Sequence, residues 1–98
     1  MPVEVSLQPQ ALAALLARCG LRAQRALADL YQITSAKLFG VALRILRRED
    51  WAEEVLQESF LNIWNHAADY AADKSQPLTW MTSIVRHRAQ AVRAAAEI

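Results

Sequence analysis

Two glycines and three prolines in 98 residues leave this chain short of what tight turns, hairpins and phosphate-cradling loops require. That scarcity argues against a turn-rich β fold, and no glycine-rich nucleotide loop is present. The single cysteine, Cys19, cannot form an internal disulfide, which fits a reducing compartment. A small residue packed near a helix end is the ordinary reading of it, ahead of a redox sensor. His66 and His87 lie in different segments, and neither has a nucleophile or metal-ligand pattern around it. No Glu-x-x-His pair suggests a di-metal bundle, so neither an enzyme nor a metal or cofactor site is expected. No apolar run approaches the ~20 residues needed to span a bilayer, and no basic-then-apolar leader opens the chain. A soluble, cytoplasmic protein is the default. The net charge of +1 does not by itself advertise a nucleic-acid partner.

What the chain has is alanine, leucine and helical periodicity. Apolar residues make up 54% of it, enough for one small core, and the composition predicts an all-α bundle of about four helices. Residues 1–8 lack periodicity and read as a flexible leader before a domain spanning residues 9–98. Pro9 suits the start of a first helix and Gly20 its end, with Leu12, Leu15, Leu16 and Cys19 on its apolar face. A second helix is predicted from about Leu21 to Leu46, through Leu27, Leu30, Tyr31, Leu38, Val41, Ala42, Ile45 and Leu46. Ile33-Thr34-Ser35 is its weak point, where a bend or break is expected. Gly40 marks either close helix packing or a mild flaw in a good helix.

The most informative stretch runs from Asp50 to Asn65. At about 100° per residue, Ala52, Leu56, Ser59 and Ile63 share one side, flanked by Val55 and Phe60. Glu54, Gln57, Glu58 and Asn65 form an opposite ridge, with Leu61 in its middle. Asp50 is placed to cap the start, and Glu53 approximates a capping box. A solvated helix face is the plain reading of such a ridge; an acidic docking surface is the sharper one.

From His66 to Gln76 periodicity weakens, and the second half reads as a loop. Ser75 or Gln76 is expected to cap a last helix that has Pro77 in its first turn. That helix turns Leu78, Met81, Ile84, Val85 and Val92 inward, and Thr79, Thr82, Ser83, Arg86, Gln90 and Arg93 outward, with His87 at the border. Hydroxyls beside arginines and a glutamine suit phosphates and base edges. Arg88 points toward the apolar side, where it snorkels or pairs with an acid of another helix. Trp64 and Trp80 are expected in the core, and Trp51 against the preceding turn. Charge divides along the chain. Acids dominate from Glu49 to Asp73, whereas Lys74, Arg86, Arg88 and Arg93 stand in a stretch without any acid up to Ala96. Two surfaces with different partners are the expectation.

The run Ala52-Glu53-Glu54-Val55-Leu56-Gln57-Glu58-Ser59-Phe60-Leu61, closed by Ile63-Trp64, resembles the polymerase-gripping part of the second conserved region of extracytoplasmic-function (ECF) RNA polymerase sigma factors. Leu30-Tyr31 and Leu38 to Leu46 are similar to that family's preceding helix, and Pro77 to Arg88 to its promoter-reading helix. Three blocks in order and register cover roughly residues 10–93. The resemblance implies a partner, the clamp coiled coil of the polymerase's largest subunit, contacted by Glu54, Gln57 and Glu58 with Leu61 as an apolar neighbour. It implies a loop, about Tyr70 to Gln76 and including Asp73, Lys74 and Ser75, that cradles a base flipped from the melting minus-ten element of promoter DNA. It implies a last helix that turns Arg86, His87, Gln90 and Arg93 to DNA, flanked by Thr79, Thr82 and Ser83. Capture of unpaired bases, not catalysis, would offset the cost of melting, and control by an anti-sigma factor would be usual.

The chain departs from the family near its end. Ala91 stands where an aspartate is usual, His87 near the place of an asparagine, and Ala94-Ala95-Ala96 where arginines continue. Ser83 and Ile84 stand where housekeeping sigma factors carry a wedging tryptophan pair. The linker and the helix-turn-helix (region 4) domain that reads the minus-35 element are absent from these residues, so an excised domain or a truncated relative is expected. The rival reading is a helical interaction module of sigma-like fold that binds polymerase or an anti-sigma partner without reading DNA.

Overall fold

The computed structural model describes residues 7–97, so the greater part of the expected 1–8 leader lies outside the described residues. Among the described residues there are four α-helices, α1 (Pro9–Gly20), α2 (Gln24–Leu46), α3 (Glu49–His66) and α4 (Pro77–Ala96), with a 3-10 turn at Ala67–Asp69. No strand occurs among the described residues.

Helix α2 is the axis of the bundle and packs against the other three. Its buried residues are Ala26, Leu30, Thr34, Leu38, Ala42 and Leu46, a strict every-fourth series. Four residues turn about 400°, so the stripe drifts roughly 40° per step and winds around the helix. That winding lets one helix meet several neighbours. It also leaves Tyr31, one of the apolar series along this helix, off the buried stripe and 42% exposed. No break occurs at Ile33–Ser35, and α2 runs on as one helix. Thr34 instead donates its hydroxyl to the Leu30 carbonyl at 2.7 Å, satisfying itself inside the helix.

Leu12, Leu16 and Cys19 of α1 complete the core with Ala52, Val55, Leu56, Phe60 and Ile63 of α3 and Met81, Val85 and Ala89 of α4. Each fully buried leucine or isoleucine contributes about 1.5–3 kcal/mol relative to exposure. Trp64 and Trp80, expected in the core, lie half-buried at its rim. Cys19 is buried, and burial pushes its thiol pKa up.

The helix ends correct several local expectations. Glycine is the usual residue for a left-handed helix end, yet neither glycine adopts positive φ; Arg22 (φ 65°) and Arg47 (φ 59°) do. At the close of α1, Arg22 N–H bonds Cys19 O and Ala23 N–H bonds Arg18 O, the Schellman pattern two residues beyond Gly20. Gly20 serves close approach instead: a Cβ there would lie 3.1 Å from the Ala68 Cα. Gly40 has open space around it, so close packing is not its role. Asp50 does not cap α3, which begins one residue earlier. Its carboxylate takes a two-pronged hydrogen bond from Arg48, at 3.2 and 2.7 Å, which holds its pKa below the ordinary value. Arg48 also stacks 4.2 Å over Trp51. Glu53 forms no reciprocal capping bond. Gln76 precedes α4 without a side-chain cap, Ser75 supplies none, and Pro77 opens the first turn as expected.

Candidate functional site

Helix α3 is divided lengthwise. Ala52, Val55, Leu56, Ser59, Phe60 and Ile63 are buried, while Glu53, Glu54, Gln57, Leu61 and Asn65 face solvent. Leu61 is 62% exposed, one of few large apolar side chains in that state. The ridge read from the sequence is therefore a contiguous surface, with one qualification. Glu58 is half-buried and its Oε1 accepts from Arg88 Nε at 2.8 Å, joining α3 to α4. The carboxylate pushes the Arg88 pKa further up. Of the two fates open to Arg88, pairing with an acid of another helix is the one realised.

A feature the sequence reading missed lies beside this ridge. Tyr31 meets Phe60 edge-on, with ring centroids 4.8 Å apart, and Tyr31, Phe39 and Gln57 border an open depression between α2 and α3. Extending the strict Leu30–Thr34–Leu38 spacing would have placed Tyr31 off the stripe, and so at this edge.

The loop between the 3-10 turn and α4 closes on itself. Tyr70 donates its hydroxyl to the Ser75 carbonyl at 2.7 Å, and its ring lies 5.4 Å from that of Trp80. Burial pushes the Tyr70 hydroxyl pKa up. Asp73 and Lys74 project from the loop into solvent, whereas Ser75 is half-buried.

On α4, Thr79, Arg86, His87, Gln90 and Arg93 are exposed, and Thr82 and Ser83 are half-buried. Two of the expected outward groups are already engaged. Ser83 donates to the Trp80 carbonyl at 2.8 Å, within its own helix, and Arg93 pairs with Glu97 at 3.2 Å. Folding brings together what the sequence keeps apart: His66 and His87 line one groove between α3 and α4, with Asn62 and Arg88. Among the described residues no third metal-ligating side chain joins them. His66 Nδ1 lies 3.5 Å from Asp69, one turn along. Among the described residues no helix is long and apolar enough to cross a membrane.

The family described as sigma-70 region 2 matches residues 30–96, which takes in α2 from Leu30 onward, α3, the loop and α4. The chain is similar to the ECF RNA polymerase sigma factor SigK of Mycobacterium ulcerans, 38% identical over 65% of this chain and 34% of that protein. The SigK of Mycobacterium tuberculosis strain H37Rv is 33% identical over 78% of this chain and 41% of its own length. The SigK of Mycolicibacterium vanbaalenii is 33% identical over 78% and 39%, respectively. The chain thus spans well under half the length of these curated relatives. With the match running through three helices and the loop, the chain belongs to the sigma-70 region 2 family, as a region 2 domain of the ECF type.

Proposed function

We propose that this transcription-initiation domain holds RNA polymerase with the α3 ridge and promoter DNA with α4 and the loop before it. The carrying observation is the lengthwise division of α3, which leaves Glu54, Gln57 and Leu61 in solvent on a helix whose other side is core. Carboxylates and an amide around one exposed leucine suit a basic, partly apolar helical partner, the clamp coiled coil of the largest subunit. Glu58 joins that surface through the oxygen it does not commit to Arg88. On the DNA side, Arg86, His87, Gln90 and Arg93 present donors along one face of α4, with Thr79, Thr82 and Ser83 flanking them. The loop from Tyr70 through Asp73, Lys74 and Ser75 provides an aromatic-based cradle for an unpaired base. Such a factor works in the bacterial cytoplasm, promotes melting by capture rather than catalysis, and is open to anti-sigma control over the same surfaces.

The test is binding to the isolated clamp coiled coil, comparing the parent with a Glu54→Ala, Gln57→Ala, Glu58→Ala triple variant of unchanged helical circular dichroism. A loss of at least about tenfold supports the reading; equal binding, or none by either protein, overturns it. An interaction module that does not read DNA is favoured by one observation, the engagement of Arg88 and Arg93 with Glu58 and Glu97. Arg86→Gln with Arg93→Gln separates the two readings. A DNA reader loses salt-sensitive promoter binding, and a pure interaction module keeps all its binding.

A further inference from the structure

The two left-handed arginines differ in what their side chains do. Arg22 donates to the Trp64 carbonyl at 3.2 Å and stacks 4.9 Å over the Trp64 ring, tying the α1–α2 corner to the end of α3. Arg47 holds an equally unfavourable backbone state for a residue with a Cβ. Yet its guanidinium forms no hydrogen bond, ion pair or stack with any described residue. Arg44, one turn earlier, is likewise unpaired among the described residues. Both line an open cleft of about 510 Å³ together with Arg93 of α4, floored by Ile45 and Leu46.

Three arginines, Arg44 of α2, Arg47 of the turn that follows it and Arg93 of α4, therefore border one concavity. Glu97 engages Arg93 through Nε alone. The negative end of the α2 dipole also points this way, but it amounts to about half a charge and is outweighed. Guanidinium forks match the oxygens of phosphate, and the Ile45–Leu46 floor suits the apolar face of a sugar. Arg93 makes the cleft continuous with the outward face of α4.

We propose that the Arg44–Arg47–Arg93 cleft binds the phosphodiester backbone of duplex DNA, fixing the register of α4 without reading sequence. The inference rests on the reading that α4 faces DNA. Arg47 then occupies a position where glycine is the less strained choice because the guanidinium is needed in the cleft.

The experiment is fluorescence anisotropy of the 98-residue chain with two labelled duplexes of unrelated sequence, across a salt series. Arg44→Gln with Arg47→Gln is expected to lower the slope of log K against log salt by about two, equally on both duplexes. Arg18→Gln with Arg25→Gln removes the same charge elsewhere and is expected to leave the slope unchanged. Arg47→Gly is expected to hold or raise the thermal midpoint while losing about one from the slope, which separates a lost contact from a failed fold. An unchanged slope for the Arg44/Arg47 variant, or an equal loss in the Arg18/Arg25 control, overturns the proposal. So does a loss confined to polymerase binding. If Arg86→Gln weakens DNA binding and the Arg44/Arg47 variant does not, the cleft alone is refuted. If the parent binds neither duplex at any salt, the DNA reading falls with it.

Discussion

Replacing Ser59 by alanine is expected to stabilise this protein. Ser59 sits in the buried stripe of α3 with no exposed surface, and its hydroxyl has no hydrogen-bond partner among the described residues. An unsatisfied buried hydroxyl costs about 1–3 kcal/mol in lost hydration, and alanine adds up to ~0.5 kcal/mol of helix propensity. Against these stands one lost heavy atom in a packed core, up to about 1 kcal/mol of contacts and cavity. The balance favours Ser59→Ala by about 1 kcal/mol. For a domain of this size that raises the thermal midpoint by roughly 4–8 °C. Thr34 is the control, equally buried but donating to the Leu30 carbonyl at 2.7 Å. Thr34→Val gives up a made bond and should lose about 0.5–1 kcal/mol. Thermal and urea melts followed by far-UV circular dichroism read both. A lower midpoint for Ser59→Ala, or parallel losses in the two variants, refutes the reasoning, because it means that the Ser59 hydroxyl is partnered.

Arg88→Ala releases Glu58 and is expected to preserve or tighten binding to the clamp coiled coil, whereas Glu58→Ala weakens it; equal losses would assign the contact to the pair. Arg48 holds the Asp50 carboxyl below its ordinary pKa, so the unfolded chain takes up that proton first as pH falls. The contribution of Asp50 is thus present at neutral pH and lost on acidification through the ordinary carboxylate range and below it. Asp50→Asn should flatten that part of an acid-denaturation curve. Gly40→Ala, with open space at the new Cβ, should add up to about 1 kcal/mol of stability. Gly20→Val drives a Cβ against the Ala68 backbone and should cost about 1–3 kcal/mol. Cys19, buried with its thiol pKa raised, should resist alkylation in the native protein and react only on unfolding.

The helices and the divided face of α3 were legible in the sequence because periodicity is a local signal. Ala52, Leu56, Ser59 and Ile63 fall where a wheel places them, and Pro9 and Pro77 open the helices they were expected to open. What the sequence concealed was non-local. The every-fourth stripe of α2 follows from packing against three helices, and it leaves Tyr31, a member of the apolar series read from the sequence, at the rim. Helix termination defeated residue preference: glycine was the natural candidate at Gly20, but its place depends on the Ala68 backbone, which no spacing reveals. The Glu58–Arg88 pair spans 30 positions, and only its arginine half announced itself. At α4 the outward arginines were readable one by one. The gathering of Arg93 with Arg44 and Arg47 was not, since it depends on how α4 lies against the end of α2.

Closure of the loop by Tyr70 has a consequence for how such a domain can diversify. The hydroxyl bond to Ser75 and the ring packing on Trp80 fix both ends of the loop from outside its tip. Ala72, Asp73 and Lys74 are exposed between those anchors. Substitutions there can alter shape and charge at the tip while the flanking helices keep their places. The loop is in effect a replaceable cartridge in a fixed mount, whose tip can change at little expense to the fold.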